Sequence, residues 1–125
     1  MGQSRDRRRD LGTRGEKMAA AYLRQQGYVI REMNYRCAVG ELDIVAQDGG
    51  CLAFVEVRTR RGRQYGTPEE SVTAAKQAKL IEVAQTYLQE RGLGETDWRI
   101  DVVAVELSSR GELLRVNLIK SAVTG

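Results

Sequence analysis

Carboxylates stand inside two apolar strands of this chain, and that conflict limits how it can fold. Residues 40–60 read Gly-Glu-Leu-Asp-Ile-Val-Ala-Gln-Asp-Gly-Gly-Cys-Leu-Ala-Phe-Val-Glu-Val-Arg-Thr-Arg, two apolar runs joined by a Gly-rich turn. A charge in low-dielectric surroundings costs several kcal/mol unless it is paired or metal-bound. Glu41, Asp43, Glu56 and Arg58 therefore demand more than packing to explain them.

The chain of 125 residues is long enough for one domain with a core and too short for two. It has no histidine, which excludes Ser-His-Asp and Cys-His hydrolase arrangements, His-ligated zinc or iron, and His-based proton transfer. Its two cysteines, Cys37 and Cys51, cannot supply a four-Cys zinc site and read as reduced residues in or near the core. No apolar run approaches the roughly 20 residues that cross a bilayer, and the Arg-rich start lacks an apolar segment behind it. The expected compartment is the cytoplasm, with no membrane partner. The net charge of +3 is modest but unevenly spread. Arg5, Arg7, Arg8, Arg9 and Arg14 gather at the start, and Arg58, Arg60, Arg61 and Arg63 follow the second of the two strands with no acid between them. Local basic clusters beside acids suggest an anionic polymer as partner.

Residues 1–12 read as a flexible basic arm, residues 13–120 as a single domain and residues 121–125 as a tail. Thr13 and Glu16 stand in capping-box relation and open a helix over about residues 14–26, which Gly27 stops. Tyr28-Val29-Ile30 begin a first strand to about Asn34. The two strands of the acidic stretch follow, with Gln47-Asp48-Gly49-Gly50 as their hairpin turn. A second helix is expected from Thr67 as N-cap, with Pro68 at its first position, Glu70 completing another capping box, and Arg91-Gly92 at its end. Val72, Lys76, Leu80, Val83, Tyr87 and Leu88 mark its inward stripe. Residues 98–107 form a strand apolar on both faces, and residues 113–119 an edge strand. The order is αβββαββ, an α/β mixed sheet in which the long helix permits a parallel crossover.

Strand periodicity places Glu41 and Asp43 on one face of their strand, and Glu56 and Arg58 on one face of the next. A turn at Asp48-Gly49 sets residue 41 opposite 56 and residue 43 opposite 54; a turn at Gly49-Gly50 sets Asp43 opposite Glu56. Either register gathers the four charges on one side of the sheet, with opposite positions about 5 Å apart. Carboxylates that close call for a cation between them, and a hard divalent ion with oxygen ligands suits them. Glu41 reads as solvated at the strand entrance or paired with Arg58 or Arg60, and Asp101 as capping its strand or paired with an arginine of the sheet.

The pattern of a helix Glu, then Asp, then Glu-x-Lys on consecutive strands resembles the restriction-endonuclease-like nucleases, particularly archaeal Holliday junction resolvases. More closely, Gly15-Glu16, Gly40-Glu41-Leu42-Asp43-Ile44-Val45, Phe54-Val55-Glu56-Val57-Arg58, Lys76-Gln77 and Arg99-Ile100-Asp101-Val102-Val103 resemble the uncharacterised bacterial YraN-like family, over about residues 11–120. The resemblance implies a restriction-endonuclease-like fold and a Mg²⁺- or Mn²⁺-dependent nuclease acting on DNA, including branched or junction DNA. It implies Asp43 and Glu56 as metal ligands, with the Val57 carbonyl as a third, and Glu16 approaching from the first helix. Arg58 takes the place of the motif lysine and completes the catalytic set, although a guanidinium stays protonated and cannot act as a general base. Leu42 stands where the motif has proline. The nucleic-acid contacts implied are Arg58, Arg60, Arg61, Arg63 and Tyr65, with Lys76 supplying an ammonium group from the second helix. The rival reading is a nuclease-fold binding module without hydrolysis. One such site cuts one strand, so symmetric junction cleavage requires a homodimer.

Overall fold

The computed structural model describes residues 3–62 and 72–123, with side-chain surroundings for 12–62 and 72–122. Seven elements follow the expected αβββαββ order: α1 (Gln3–Gln25), β1 (Val29–Cys37), β2 (Gly40–Asp48), β3 (Cys51–Arg61), α2 (Ala74–Glu90), β4 (Asp97–Leu107) and β5 (Leu113–Val123). The strands form one sheet in the order β1-β2-β3-β4-β5. Only β3 and β4 pair in parallel; the other neighbours are antiparallel. Crossing over through α2 makes that parallel pair possible, and β5 lies at an edge as its sequence suggests.

The helices cover opposite faces. Ala19, Ala20 and Leu23 of α1 pack on Ile44, Ala46, Ala53, Val55 and Val103, where small residues on both sides let helix and sheet approach closely. Leu80, Val83, Ala84, Tyr87 and Leu88 of α2 cover Leu42, Val45, Leu52, Phe54 and Ile100 on the other face. Phe54 anchors this second layer edge-on to Tyr87 and Trp98, at centroid distances of 5.4 and 5.8 Å. Residues 100–105 of β4 are all buried, consistent with an apolar strand covered from both faces.

The stops were legible. After α1, Gly27 takes φ +92, its N–H donates to the Arg24 carbonyl, and the Tyr28 N–H donates to the Leu23 carbonyl. This is the paired-bond stop that a left-handed glycine allows. Gly92 closes α2 through the corresponding bonds to Gln89 and Leu88.

Both helix starts require correction. α1 begins at Gln3, within the segment read as an arm, so Thr13 and Glu16 lie inside the helix and form no capping box. Arginine is a good helix former, which supports the longer helix. α2 begins at Ala74 rather than after Thr67. Residues 72 and 73 are not helical, and Thr73, extended at φ −73 and ψ 165, accepts from the Lys76 N–H at 3.2 Å as the N-cap. Thr67, Pro68 and Glu70 lie outside the described residues. β1 also continues past Asn34 to Cys37, turning through residues 38 and 39 into β2.

One contact sets the seat of α1 on the sheet. A Cβ on Gly15 would lie 2.0 Å from Thr59 Oγ1, 3.0 Å from its Cβ and 3.1 Å from its Cγ2. All three threonine side-chain atoms are too close for a rotamer change to clear the overlap. Gly15→Ala is therefore expected to lower stability by about 1–2 kcal/mol despite the better helix propensity of alanine. In the same helix Gly12→Ala, with nothing within 4 Å of its built Cβ, should raise stability by up to about 1 kcal/mol. Urea unfolding of both variants checks the contrast.

Candidate active site

The site forms where the sheet splits. β2 stays paired with β1 to Gly40, and β3 stays paired with β4 to Arg61, but the β2–β3 ladder ends at Ile44 opposite Val55. The hairpin turn is Gly49-Gly50, with Asp48 opposite Cys51 and Gly49 at φ +59. This selects the register that aligns Asp43 with Glu56. Beyond Ile44 the two strands part, and the Val57 N–H donates to Asp43 Oδ2 at 2.7 Å instead of continuing the ladder.

A kink turns Asp43 into this fork. Leu42 packs beneath α2 and Ile44 beneath α1, so residues two apart face opposite sides of the sheet. In β1, Tyr35 and Met33 switch faces in the same way. Between them Asn34 takes φ +55, a left-handed conformation that asparagine tolerates better than other side chains. Asn34 and Asp43 are thus opposed positions of one coupled irregularity, between the pairs Met33–Ile44 and Tyr35–Leu42. Asn34 was missed from the sequence; its signal is an asparagine between apolar residues of a strand.

Three carboxyl groups meet in the fork. Glu16 reaches from α1 and hydrogen-bonds Asp43 and the Asn34 side chain; burial foremost pushes its carboxyl above the usual range, against the pull of these bonds. Asp43 is pushed up to about 9, first by burial and then by a hydrogen bond and charge repulsion from Glu56. The pair therefore retains a proton where an ordinary carboxylate has none. Glu56 is 4% exposed. Its Oε2 lies 3.1 Å from Lys76 Nζ and 3.5 Å from an Arg58 guanidinium nitrogen. A cleft of about 590 Å³ opens beside Glu16, Asn34 and Asp43, with Arg36 and Glu41 at its rim.

The structure thus brings Glu16, Asp43, Glu56, Arg58 and Lys76 together. Glu41 is exposed at the start of β2, the solvated reading of the two, and it pairs with Arg36 at 3.3 Å, its neighbour across the β1–β2 ladder. Arg60 lies one strand repeat beyond Arg58, and the Arg61 Nε donates to the Ser109 carbonyl at 3.1 Å. Arg63 and Tyr65 lie outside the described residues. Cys37 and Cys51 are free and partly buried.

Asp43 and Glu56 suit a hard divalent cation, because two crowded carboxyl groups offer the oxygen donors that Mg²⁺ and Mn²⁺ select once the proton they hold is released. Among the described residues, no group of three or more His, Cys, Asp or Glu side chains forms a ready-made cage. Val57 contributes its N–H to Asp43, which orients that carboxylate. On the neighbouring strand β4, Asp101 stands beside Val55, is wholly buried and accepts from Tyr28, Arg99 and the Ser121 N–H. This is the arginine partnership expected for it.

The αβββαββ order, a five-stranded mixed sheet with a helix on each face, defines a mixed α/β protein. The chain belongs to the family described as Uncharacterised protein family UPF0102, the YraN-like family, whose model matches residues 15–105. It is 42% identical over 115 residues to a UPF0102 protein of Caldicellulosiruptor saccharolyticus, covering 92% of this chain and 98% of the relative. A relative from Symbiobacterium thermophilum is 51% identical over 114 residues, covering 91% and 96%. Another, from Roseiflexus castenholzii, is 48% identical over 118 residues, covering 94% and 95%. Among the described residues, no helix is long and apolar enough to cross a membrane.

Proposed function

We propose that this chain is a divalent-metal-dependent nuclease acting on DNA, with branched or junction DNA as the substrate class that the family resemblance favours. The observation that carries this reading is the Asp43–Glu56 carboxyl pair, one half-buried and the other buried, at the mouth of the β2–β3 fork. When bound there, Mg²⁺ or Mn²⁺ supplies Lewis-acid charge to the scissile phosphate and lowers the pKa of a bound water. Asp43 and Glu56 hold the ion, Val57 N–H fixes the Asp43 carboxylate, and Glu16 adds a third carboxyl beside Asp43. Arg58 offers a permanent positive charge to the phosphate. Arg60 continues the basic run on the Glu56–Arg58 face of β3, and Arg61, Arg63 and Tyr65 follow in sequence.

A second reading, a nucleic-acid-binding module without hydrolysis, is favoured by Arg58 in the place of the motif lysine and by the lack of a closed three-ligand cage among the described residues. The assay that separates them uses labelled single-stranded, duplex, flap and four-way-junction DNA and structured RNA, with Mg²⁺, Mn²⁺ or chelator. Metal-dependent cleavage that Asp43→Asn and Glu56→Gln each reduce by at least about a hundredfold is expected. Salt-sensitive binding without cleavage in any metal condition selects the binding module. Cleavage untouched by both substitutions refutes the site.

A further inference from the structure

The two buried acids of the described residues are held in different ways. Asp101 is fixed by directional donors: the Tyr28 hydroxyl at 3.1 Å, Arg99 Nε at 2.9 and 3.1 Å, and the Ser121 N–H at 2.9 Å. Glu56 instead has two long cationic side chains converging on a single oxygen, Lys76 at 3.1 Å and Arg58 at 3.5 Å. Arg99 is 18% exposed, whereas the Lys76 side chain is 40% exposed and so has room to leave.

The place of Lys76 on α2 is also informative. It is the third residue after the N-cap Thr73, and its own N–H donates to that cap. The first turn of a helix carries partial positive charge and favours acids, yet α2 has no acid there. The helix end therefore gives the ammonium no reason to sit where it does; Glu56 supplies that reason.

We propose that Lys76 is the resident counter-ion of the carboxyl pair, standing in for the divalent cation and competing with it for Glu56. This rests on the reading of Asp43 and Glu56 as cation ligands. A doubly charged ion between those carboxylates repels an ammonium a few ångströms away, and the partly exposed lysine swings out on its flexible stem. Displacement leaves the ammonium at the rim of the fork, free to meet a phosphate oxygen. The cation-free protein thus keeps a buried carboxylate neutralised, at the cost of weaker cation affinity.

The test is calorimetric titration of the full chain with MnCl₂ at neutral pH and low salt, without nucleic acid. Lys76→Met and Lys76→Gln are each expected to bind Mn²⁺ about tenfold more tightly than the wild type, while Lys76→Arg, which keeps the charge, stays close to it. Asp43→Asn should abolish the binding. Unchanged or weaker affinity in Lys76→Met and Lys76→Gln, with Asp43→Asn still abolishing it, overturns the counter-ion role and leaves the site standing. Absence of any Mn²⁺ binding that Asp43→Asn removes overturns the site and the counter-ion role together.

Discussion

Asp101→Ala is expected to remove about 3–5 kcal/mol of folding stability, the loss typical of breaking a buried ion pair from one side. The Asp101 carboxylate is 0% exposed and joins parts of the chain far apart in sequence. It accepts from Tyr28 just before β1, from Arg99 on its own strand, and from the Ser121 N–H of β5. Arg99 extends the link to Asp48 at the end of β2, at 2.8 Å, and holds the Asp48 carboxyl below the usual range. Truncation leaves the Arg99 Nε, the Tyr28 hydroxyl and the Ser121 N–H without their acceptor at once, while Arg99 keeps Asp48. Asp101→Asn keeps the shape and part of the bonding, so its loss should be smaller. With domain stabilities of about 5–15 kcal/mol, the alanine variant should unfold at far lower denaturant, measured by urea titration of Trp98 fluorescence. A cost below about 1 kcal/mol would show that the network is not the clamp it looks to be.

That clamp bears on the site because it runs from Asp101, level with the last β2–β3 pair, to Asp48 beside the hairpin turn. The hairpin of β2 and β3 is tied to β4 through Asp48 and Arg99 at its turn, while its other end separates beyond Ile44 and Val55. A hairpin locked at one end can hold open a fixed gap at the other, with Asp43 and Glu56 at its mouth.

Much of this was legible in the sequence, for identifiable reasons. Gly27 and Gly92 are left-handed stops after apolar stripes, and the near-continuous apolar character of β4 pointed to a strand buried on both faces. Lys76 was legible from its place on the stripe of Leu80 and Val83. The hairpin register was open because Asp48-Gly49 and Gly49-Gly50 can both adopt positive φ and the two registers differ by two residues, which leaves every side chain on the same face; the pairing of Asp48 with Cys51 settles it. The turn at Ala38-Val39 was hidden, since neither residue favours a turn and the pairing of β1 with β2 imposes it. The coupled kink at Asn34 and Asp43 was hidden for a related reason. Ile44, Val45 and Ala46 are apolar on both parities, so their pattern does not reveal that β2 changes face after Leu42. Glu16 was found through its spacing and resemblance, yet the capping role assigned to it fails because α1 starts at Gln3.

The same crowding that suits the site to a cation should make the cation-free protein less stable as pH rises. Asp43 has a folded-state value near 9 against an ordinary 3.8, so between these values the native state holds a proton that the unfolded chain has released. Stability falls with pH wherever the native state binds more protons. The Asp43 contribution is therefore present in full below pH 3.8, declines across the window up to about 9, and is gone above it. The accumulated loss is on the order of a few kcal/mol. Asp43→Asn cannot ionise, keeps an oxygen for the Val57 N–H, and relieves the repulsion with Glu56. It should thus overtake the wild type in melting temperature as pH rises from 5 to 9 in chelator, although it removes a proposed ligand. Mn²⁺ should stabilise the wild type increasingly toward alkaline pH, because binding requires the released proton to be gone, and should leave Asp43→Asn unmoved. Parallel wild-type and Asp43→Asn melting curves over this range would show that Asp43 ionises as an ordinary carboxylate and that the fork is not crowded with charge.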